Sequence, residues 1–376
     1  MKKALAAVAI LAALALLAGL AWLVRDLYRP YRGYRGTLDL VIQPGTSARD
    51  VADLLTSHGV LRHRVPFLFR YALGRPGHSL KAGEYEFDKP LRPLDVYHKL
   101  VEGEVHLYTV VIPEGSDRFD MARILQERLG MNPQQFLRAT EVTGLIHDLD
   151  PQAPTLEGYL FPDTYRFSRV ATPARVVETM VARFREILRT KLATDLKQSD
   201  LSLHDVITLA SLVEKETSDP AERARIAGVF VRRLKRHWPL ACDPTVIYAA
   251  RLDHRMLEHP LPPIKQSDLE FDSPYNTYKH AGLPPGPIAS PGVASIRAAL
   301  DPAQGDDLYF VSNGHGGHIF ARRLAEHLRN VARYRKREAD TRRRTSRQTN
   351  FSDRKRPKKN RGGNGTNKKP PPRAKG

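Results

Sequence analysis

The sequence predicts an α+β fold, in which an N-terminal transmembrane helix precedes a small α+β module, a larger α+β domain and a disordered basic tail. Three observations predict this order: a long uncharged segment at the start, a strand–turn–helix pattern that occurs twice, and an apolar helix that ends in two glutamates. A chain of 376 residues can hold two or three domains with buried cores. The predicted divisions are a short N-terminus 1–3, the membrane helix 4–24, a linker 25–35, the module 36–130, the larger domain 131–335 and the tail 336–376.

The first element is Ala4–Val24, a run of 21 uncharged residues rich in Ala and Leu. About 20 apolar residues in a helix cross a bilayer, whereas the apolar region of a cleaved signal peptide has about 7–15. The run therefore predicts an uncleaved single-pass anchor, although cleavage near Ala18–Ala21 stays open. Basic residues on both sides leave the orientation undecided by charge. They are Lys2 and Lys3 before the run, and Arg25, Arg29, Arg32 and Arg35 after it.

The small module is predicted from an internal repeat. The segment V-I-Q-P-G-T, beginning at Val41, and the segment V-I-P-E-G-S, beginning at Val111, are offset by 70 residues. Each predicts a strand, a glycine turn, a Ser or Thr cap and an amphipathic helix. Between the two copies, Leu80–Phe87 alternates in polarity like a strand. Together these elements predict an α+β module over 36–130 that serves docking rather than chemistry.

Residues 130–200 are predicted to be mostly helical, with an interruption at Glu157–Phe167. Four aromatic residues surround a Pro-Asp turn in this interruption, and two interpretations stay open. The aromatic rings pack in the core at a domain junction, or they form a surface on which sugar rings stack while acidic side chains bind hydroxyl groups. The candidate residues of the second interpretation are Glu157, Tyr159, Phe161, Asp163 and Tyr165.

The segment Asp205–Glu216 has apolar residues at helical spacing and predicts a core helix that ends in Glu214 and Glu216. At about 100° per residue, the two glutamates point about 200° apart, so at most one faces a given cleft. Glu216 lies above Leu212 and Val213, and an apolar environment raises the pKa of a carboxyl group toward that of a general acid. We therefore favour Glu216, with Glu214 as the second candidate. The alternative is that both are solvated glutamates at a helix end.

A second helix is predicted at Ala221–His237, and a further element begins at Asp243 after a turn. A polar-aromatic patch at Tyr275–Tyr278 precedes a rigid Pro- and Gly-rich loop at Gly282–Ile288. These segments either form the wall of a groove or are ordinary connectors. The candidate substrate-binding residues in them are Asp243, Thr245, Tyr248, Tyr275, Asn276, Thr277 and Tyr278.

Several kinds of site are not favoured by the sequence. Cys242 is the single cysteine, so it forms no internal disulfide, and we interpret it as a buried inert thiol rather than a nucleophile. The segment N-G-H-G-G-H at Asn313–His318 predicts a turn, because no carboxylate or cysteine completes a set of metal ligands. The sequence also contains neither a phosphate-binding loop nor a nucleophile elbow. We predict no metal and no cofactor.

Most of the net charge of +19 belongs to the C-terminal tail. From Arg333 onward the chain contains 18 Lys and Arg and three acidic residues. This segment is poor in apolar residues, which predicts disorder from residue 336. Nucleic-acid binding is not expected as the main function, because Tyr334 and Phe351 are the only aromatic residues there. A solubilising tail, or attachment to an anionic membrane or wall polymer, fits the composition better.

The combined motifs resemble those of the endolytic murein transglycosylases. The resemblance covers roughly residues 1–335 and rests on the N-terminal apolar segment and on several motifs in series. These are E-G-Y-L-F-P-D-T-Y, S-L-V-E-K-E-T, D-P-T-V-I-Y, Y-N-T-Y and G-L-P-P-G-P-I. The resemblance implies a LysM-like module over 36–130 and a catalytic domain over 131–335. The basic tail is longer than the family pattern requires.

The resemblance also implies a chemistry and a location. Glu216 matches the catalytic acid of the family, which cleaves the bond between N-acetylmuramic acid (MurNAc) and N-acetylglucosamine (GlcNAc) and leaves 1,6-anhydro ends. It implies a catalytic region outside the cytoplasmic membrane, peptidoglycan strands as substrate, peptidoglycan synthases as partners, and a role in terminating nascent strands. Two alternatives stay open. One is a hydrolytic muramidase with Asp163 or Asp243 as its second carboxylate, and the other is a non-catalytic scaffold that binds peptidoglycan at the growing wall.

Overall fold

Helices joined by short strand pairs form the described part of this computed structural model, which comprises residues 2–74, 79–253 and 261–354. The N-terminal helix α1 spans Lys2–Tyr28 and is long and apolar enough to cross a membrane. Its most apolar 18 residues are not buried against the rest of the protein. It continues four residues beyond the predicted end. Leu27 and Asp26 are buried there, and Asp26 accepts a hydrogen bond from His63 at 3.3 Å.

The first α+β unit lies between residues 38 and 102. Strand β1 (Leu38–Ile42) pairs antiparallel with β2 (Gly83–Phe87), and three helices pack with this pair: α2 (Ala48–Ser57), α3 (Arg64–Ala72) and α4 (Pro93–Glu102). The buried cluster of this unit extends from Leu40 to Leu100, and its largest side chains include Phe67, Tyr85 and Phe87. The predicted strand at Leu80–Phe87 is thus confirmed over its last five residues.

The repeat predicted from sequence has the expected local structure in both copies. Strand β3 (Tyr108–Val111) and helix α5 (Arg118–Leu129) form the second copy. Gly45 and Gly115 take φ values of 83° and 74° in the two turns. In each copy the helix cap lies one residue after the predicted Ser or Thr. Ser47 caps α2, and Asp117 caps α5. However, β3 pairs with β4 (Thr164–Phe167), so strand pairing joins the second copy to the residues that follow it.

Seven further helices complete this part of the fold: α6 (Pro133–Ala139), α7 (Pro173–Ile187), α8 (Ala193–Lys197), α9 (Leu203–Glu216), α10 (Arg223–Lys235), α11 (Asp243–Leu252) and α12 (Val293–Leu300). Short 3-10 turns lie at Thr143–Leu145 and Gln266–Glu270, and a π-helical turn at Leu188–Leu192. Every residue of α9 from Val206 to Val213 is buried, and α10, α11 and α12 pack against it. The apolar helix predicted from sequence is therefore the central helix of this part.

Residues from 306 onward form a separate unit. Strands β5 (Tyr309–Ser312) and β6 (His318–Ala321) make an antiparallel hairpin, followed by α13 (Leu324–Arg354). The segment N-G-H-G-G-H forms the hairpin turn, in which Asn313 Oδ1 accepts the backbone N–H of His315 at 2.7 Å. The disorder predicted from residue 336 is not supported as far as Arg354, because α13 continues to that residue. Arg and Lys are good helix formers, and the first proline after Leu324 is Pro357. Residues 355–376 of the predicted tail lie outside the described residues.

Candidate active site

The central helix α9 ends in the two glutamates singled out by the sequence. Its start is capped by Ser202, whose Oγ accepts the backbone N–H of Asp205 at 3.1 Å. Its last residue is Glu216. Leu212 and Val213, below Glu216, are fully buried, as expected from the helical spacing. Both acids therefore stand at the end of a rigid, buried helix, where side chains are held in place by packing.

Glu214 is occupied by protein partners. Its Oε2 accepts the backbone N–H of Gly292 at 2.9 Å, and its Oε1 is 3.4 Å from Nη2 of Arg223. The side chain of Glu214 is only 6% exposed. Glu214 and Glu216 are both partly buried as whole residues, so burial class does not decide between them. Glu214 joins α9 to α10 and to the loop before α12.

A third carboxylate near this point was missed by the sequence analysis. Glu114 lies in the turn before α5, and its side chain packs against Gly292, where a Cβ atom would collide with the carboxyl group. Partial burial and then the charge of Glu214 raise the pKa of Glu114, and Arg223 opposes this shift. A comparison of the two copies of the repeat could have singled out Glu114, because the first copy has Pro44 at the equivalent position. The acid is therefore specific to the second copy.

Glu216 faces a different set of residues. The residue is partly exposed, and its charge contributes, after burial, to the raised pKa of the Cys242 thiol. Tyr278 is close enough for the charge of Glu216 to contribute to its raised pKa, after burial and the contact with Asp243. The hydroxyl of Tyr278 donates to Oδ1 of Asp243 at 2.5 Å. The structure therefore brings together Glu216, Asp243 and Tyr278, three of the predicted site residues.

Thr245 and Thr277 were predicted to bind substrate, but the structure buries both. Thr245 Oγ1 donates to the carbonyl of Cys242 at 2.6 Å and is 2.9 Å from Thr277 Oγ1. Thr277 Oγ1 also accepts the backbone N–H of Cys242 at 3.0 Å. Their polar groups are thus satisfied inside the protein, and they fix the backbone at Cys242 rather than contact a glycan.

Asn276 has a similar internal role. Its side-chain amide donates to the carbonyls of Leu269 and Phe271 at 2.9 and 2.7 Å, and its Oδ1 accepts the backbone N–H of Tyr278 at 3.0 Å. Asn276 is fully buried. It therefore shapes the turn that presents Tyr278 and is not itself placed for substrate binding.

The aromatic interruption before α7 belongs to the core. Tyr159, Phe161, Tyr165 and Phe167 are all buried, which supports core packing over the sugar-stacking surface. Tyr159 packs edge-on against Phe184 and donates its hydroxyl proton to Asp150. The hydroxyl of Tyr165 donates to the carbonyl of Phe161 at 2.6 Å. These rings present no face to a glycan, because large aromatic side chains contribute most to packing when they are enclosed.

Asp163 is likewise held by protein groups. Its Oδ2 accepts a hydrogen bond from Arg183 Nε at 2.7 Å, and its Oδ1 accepts the backbone N–H of Thr164 at 2.7 Å. This places Asp163 in an ion pair between the turn before β4 and α7.

Glu157 and Tyr248 meet in a second, buried polar cluster. Glu157 accepts the backbone N–H of Arg118 at 3.0 Å, and burial together with the charge of Asp117 raises its pKa to about 8. Burial and the charge of Asp120 also raise the pKa of Asp117, to about 6, although Arg251 pairs with both aspartates.

Glu157 and Tyr248 are each 2% exposed, so neither is open to a glycan. Tyr275, whose ring lies 5.1 Å from that of Tyr248, is partly exposed. Of the three predicted substrate-binding residues Glu157, Tyr248 and Tyr275, only Tyr275 presents a surface that a sugar could touch.

The motif segments, although distant in sequence, converge on α9. Gly158 has a φ of 83°, and a Cβ there would lie 2.5 Å from Pro287 and 2.9 Å from Ile207. The backbone N–H of Ile288 donates to Ser211 Oγ at 3.1 Å. The Pro-Gly loop therefore lies directly along the catalytic candidate's helix, and the glycine is required by close packing as well as by its backbone conformation.

Comparisons with known proteins show what this chain is similar to. Residues 40–333 match the profile of the YceG-like family. A Bacillus subtilis protein named endolytic murein transglycosylase is 31% identical over 315 residues, which are 79% of this chain and 85% of that protein. A Streptococcus pneumoniae protein of the same name is 31% identical over 321 residues, 78% of this chain, but this chain spans only 57% of its length. The crystal structure of a YceG-like protein from Listeria monocytogenes superposes with a TM-score of 0.53 at 30% identity, covering 79% of this chain and 99% of that one.

Proposed function

The chain belongs to the YceG-like family, and on that premise we propose that it is an endolytic murein transglycosylase, a lyase that cuts peptidoglycan glycan strands internally. The observation that carries the proposal is the placement of Glu216. It ends a buried helix, is partly exposed, and lies beside Asp243 and Tyr278. The carboxylate of Glu214 accepts the backbone N–H of Gly292 and pairs with Arg223, which supports a structural role for this residue.

One carboxyl group is sufficient for the reaction. Protonated Glu216 donates its proton to the oxygen that links C1 of MurNAc to GlcNAc, and the C1–O bond breaks through an oxocarbenium-like state. The resulting carboxylate then accepts the proton of the C6 hydroxyl of the same MurNAc, whose oxygen bonds to C1. The products are a GlcNAc end with a free hydroxyl and a 1,6-anhydro-MurNAc end. No water is consumed, and Glu216 returns to its protonated form.

The position of Asp243 supports a second candidate reaction. It is exposed and shares Tyr278 as a neighbour with Glu216, so a hydrolytic muramidase could use it as the second carboxylate. In a glycosidase the second carboxylate either activates water or attacks C1, and the new end then carries one additional water. Asp163, the other residue considered for this role, is already paired with Arg183. The mass of the new ends distinguishes the two reactions.

Location and partners complete the proposal. Helix α1 anchors the chain by one pass in the cytoplasmic membrane, with residues 1–3 inside and the catalytic region over 131–335 on the periplasmic or extracytoplasmic side. The residues that follow α1 and a LysM-like module over 36–130 position the site on peptidoglycan. We further propose contact with peptidoglycan synthases and termination of nascent strands. What supports these statements is the membrane-length helix, together with a substrate that lies outside the membrane.

The decisive experiment is a digest of purified sacculi and of uncrosslinked nascent glycan with the detergent-solubilised full chain and with Glu216→Gln. Mass spectrometry reads the new ends. Ends lighter by one water than a hydrolysed end, and absent with the variant, would establish the lyase and its acid. Hydrated ends would instead indicate the muramidase. Absence of new ends on either substrate, with glycan binding retained, would favour a non-catalytic scaffold.

A further inference from the structure

Helix α3 has an exposed apolar stripe that neither the core of its unit nor the proposed reaction uses. One face of the helix packs into that core with Phe67. On another face Val65, Phe69 and Leu73 stay 50%, 40% and 65% exposed, and Ala72 is exposed with them. Positions 65, 69, 72 and 73 have the spacing that places residues on one side of a helix. These four residues form the α3 stripe, and a contiguous exposed apolar surface of this kind marks an interaction site.

The α3 stripe begins beside the end of the membrane-length helix. Helix α1 packs against α3, and the ring of Trp22 lies 5.4 Å from that of His63, the residue that directly precedes α3. His63 Nδ1 is also 3.3 Å from Oδ2 of Asp26. Trp22 lies two residues before the end of the uncharged run, where tryptophan typically marks the boundary between lipid and water. When α1 spans a bilayer, the first turn of α3 therefore lies at that boundary.

Backbone hydrogen bonds fasten the segment after α1 to the unit that contains α3. Tyr31 donates its N–H to the carbonyl of Leu91 at 3.0 Å, and Leu91 donates its N–H to the carbonyl of Tyr31 at 3.3 Å. Gly33 donates its N–H to the carbonyl of Gly59 at 2.8 Å. A Cβ at Gly59 would lie 2.8 Å from the carbonyl carbon of Gly33, so the two backbones are in direct contact. These contacts hold α3 beside the end of α1.

Positive charge surrounds the start of the α3 stripe. Asp53 pairs with Arg64 at 2.8 Å and Asp26 is buried, so basic residues predominate at the surface there. Basic side chains are attracted to anionic lipid headgroups, and an element that lies in the membrane interface combines an apolar face with such residues. The exposed basic residues at the end of α1 and the start of α3 are Arg25, Arg29, Arg62 and Arg64.

We propose that the α3 stripe is a second membrane contact, which lies in the headgroup region of the anionic phospholipid bilayer that α1 spans. Apolar faces of interfacial helices enter the bilayer by about 5–10 Å. A single spanning helix leaves the attached unit free to tilt, whereas a second contact, joined to the first through Trp22 and His63, fixes the tilt. The proposal rests on the proposed anchoring by α1 and is independent of the role of Glu216.

Quenching of tryptophan fluorescence by brominated lipid tests the contact in the full chain. The sequence has two tryptophans, so Trp22→Phe with Trp238→Phe gives a background in which Phe69→Trp is the single reporter. The protein is reconstituted in nanodiscs of phosphatidylcholine and phosphatidylglycerol, with or without bromine near the headgroup end of the acyl chains. We expect bromine to remove much of the emission of Phe69→Trp. Leu73→Trp in the same background is a second reporter and should behave alike, and thermal unfolding checks that both variants are folded.

Val41→Trp in the same background is the matched control. Val41 is an exposed residue of β1, whereas its neighbours Leu40 and Ile42 belong to the core that also contains Phe67. Because successive side chains of a strand point to opposite faces, Val41 lies on the side of the strand pair that faces away from α3. Bromine should therefore leave the emission of Val41→Trp unchanged, and this emission should lie at a longer wavelength than that of Phe69→Trp.

Emission of Phe69→Trp that bromine does not quench would overturn the proposal. At a long wavelength it would mean that water covers the stripe, and at a short wavelength that protein does, with a dependence on the protein-to-lipid ratio identifying a second copy of the chain. A chain that keeps Trp22 and carries Trp238→Phe tests the anchor separately. Quenching of Trp22 without quenching of Phe69→Trp contradicts the second contact alone, whereas absence of both contradicts the anchoring as well. The masses of the glycan ends still report the reaction in either case.

Discussion

Glu214 accepts the backbone N–H of Gly292 at 2.9 Å, and this hydrogen bond ties the last turn of α9 to the loop that leads into α12. Arg223 of α10 completes the pairing at 3.4 Å. The side chains of Glu214 and Arg223 are 6% and 10% exposed, so both partners are largely removed from water. A buried carboxylate of this kind holds elements together, and its loss is expected to affect folding more than chemistry.

Glu214→Gln should therefore destabilise the protein while leaving its chemistry intact. Glutamine keeps an acceptor for Gly292 but loses the charge that faces Arg223, at a cost of about 2 kcal/mol in the free energy of unfolding. Thermal unfolding of the full chain in detergent measures the loss, and the cleavage rate is measured below the unfolding range. Glu216→Gln is the contrasting variant, expected to unfold like wild type and to produce no new glycan ends. If Glu214→Gln alone abolished cleavage without a change in stability, the two assignments would be exchanged.

Asp243→Asn should slow cleavage without changing its product. The carboxylate of Asp243 accepts the hydroxyl of Tyr278 at 2.5 Å beside Glu216, so the substitution weakens a polar contact at the edge of the site. We expect a loss of about 10-fold, corresponding to one hydrogen bond to a charged group, with 1,6-anhydro ends still formed. Mass spectrometry of the ends and initial rates check both parts. Asp272→Asn, an exposed aspartate paired with His280, is the control. Complete loss of cleavage, with hydrated ends in wild type, would support the muramidase instead.

The sequence was sufficient to locate the central helix and the two glutamates at its end. The spacing of apolar residues from Val206 to Val213 has the helical period, and all of these positions are buried. The helical angle showed that the two glutamates face different ways, and the choice of Glu216 rested on its apolar footing above Leu212 and Val213. Their neighbours could not be predicted, because Gly292 and Cys242 reach α9 only through tertiary packing. The apolar footing predicted for Glu216 is confirmed, because Leu212 and Val213 are fully buried, whereas its catalytic role stays a prediction.

Polar and aromatic residues near the site show a second limit of sequence reasoning. The hydroxyl groups of Thr245 and Thr277 could hydrogen-bond to a sugar hydroxyl as well as to each other. Only the fold shows that their Oγ1 atoms are 2.9 Å apart. The same holds for Tyr159, whose ring could stack on a sugar but packs on Phe184 instead. The residue type fixes what a side chain can bind, whereas the choice between protein and ligand depends on burial.

Gly158→Ala should be strongly destabilising. The added Cβ would lie 2.5 Å from Pro287 and 2.9 Å from Ile207, and φ at this residue is 83°. Overpacking and the left-handed backbone together predict a loss of about 2–4 kcal/mol in the free energy of unfolding. Gly144→Ala is the matched control, because no heavy atom lies within 4 Å of its Cβ position. Thermal unfolding compares the two variants, and equal stability would mean that the Pro-Gly loop does not pack on α9 as described.

The contribution of Glu157 to the free energy of unfolding decreases as the pH rises. Burial and the charge of Asp117 raise its pKa from 4.5 to about 8, so the folded state binds a proton more tightly than the unfolded state does. This contribution is complete below about pH 4.5 and is lost progressively as the pH rises through about 8. Glu157→Gln keeps an acceptor for the N–H of Arg118 and carries no charge, so the variant should lose less stability than wild type over that range. The measurement is the difference in thermal midpoint between pH 5 and pH 8.5 for each protein, with Glu178→Gln expected to follow wild type. Parallel pH profiles for wild type and Glu157→Gln would show that Glu157 is ionised throughout and that the cluster around Arg118 and Arg251 tolerates its charge.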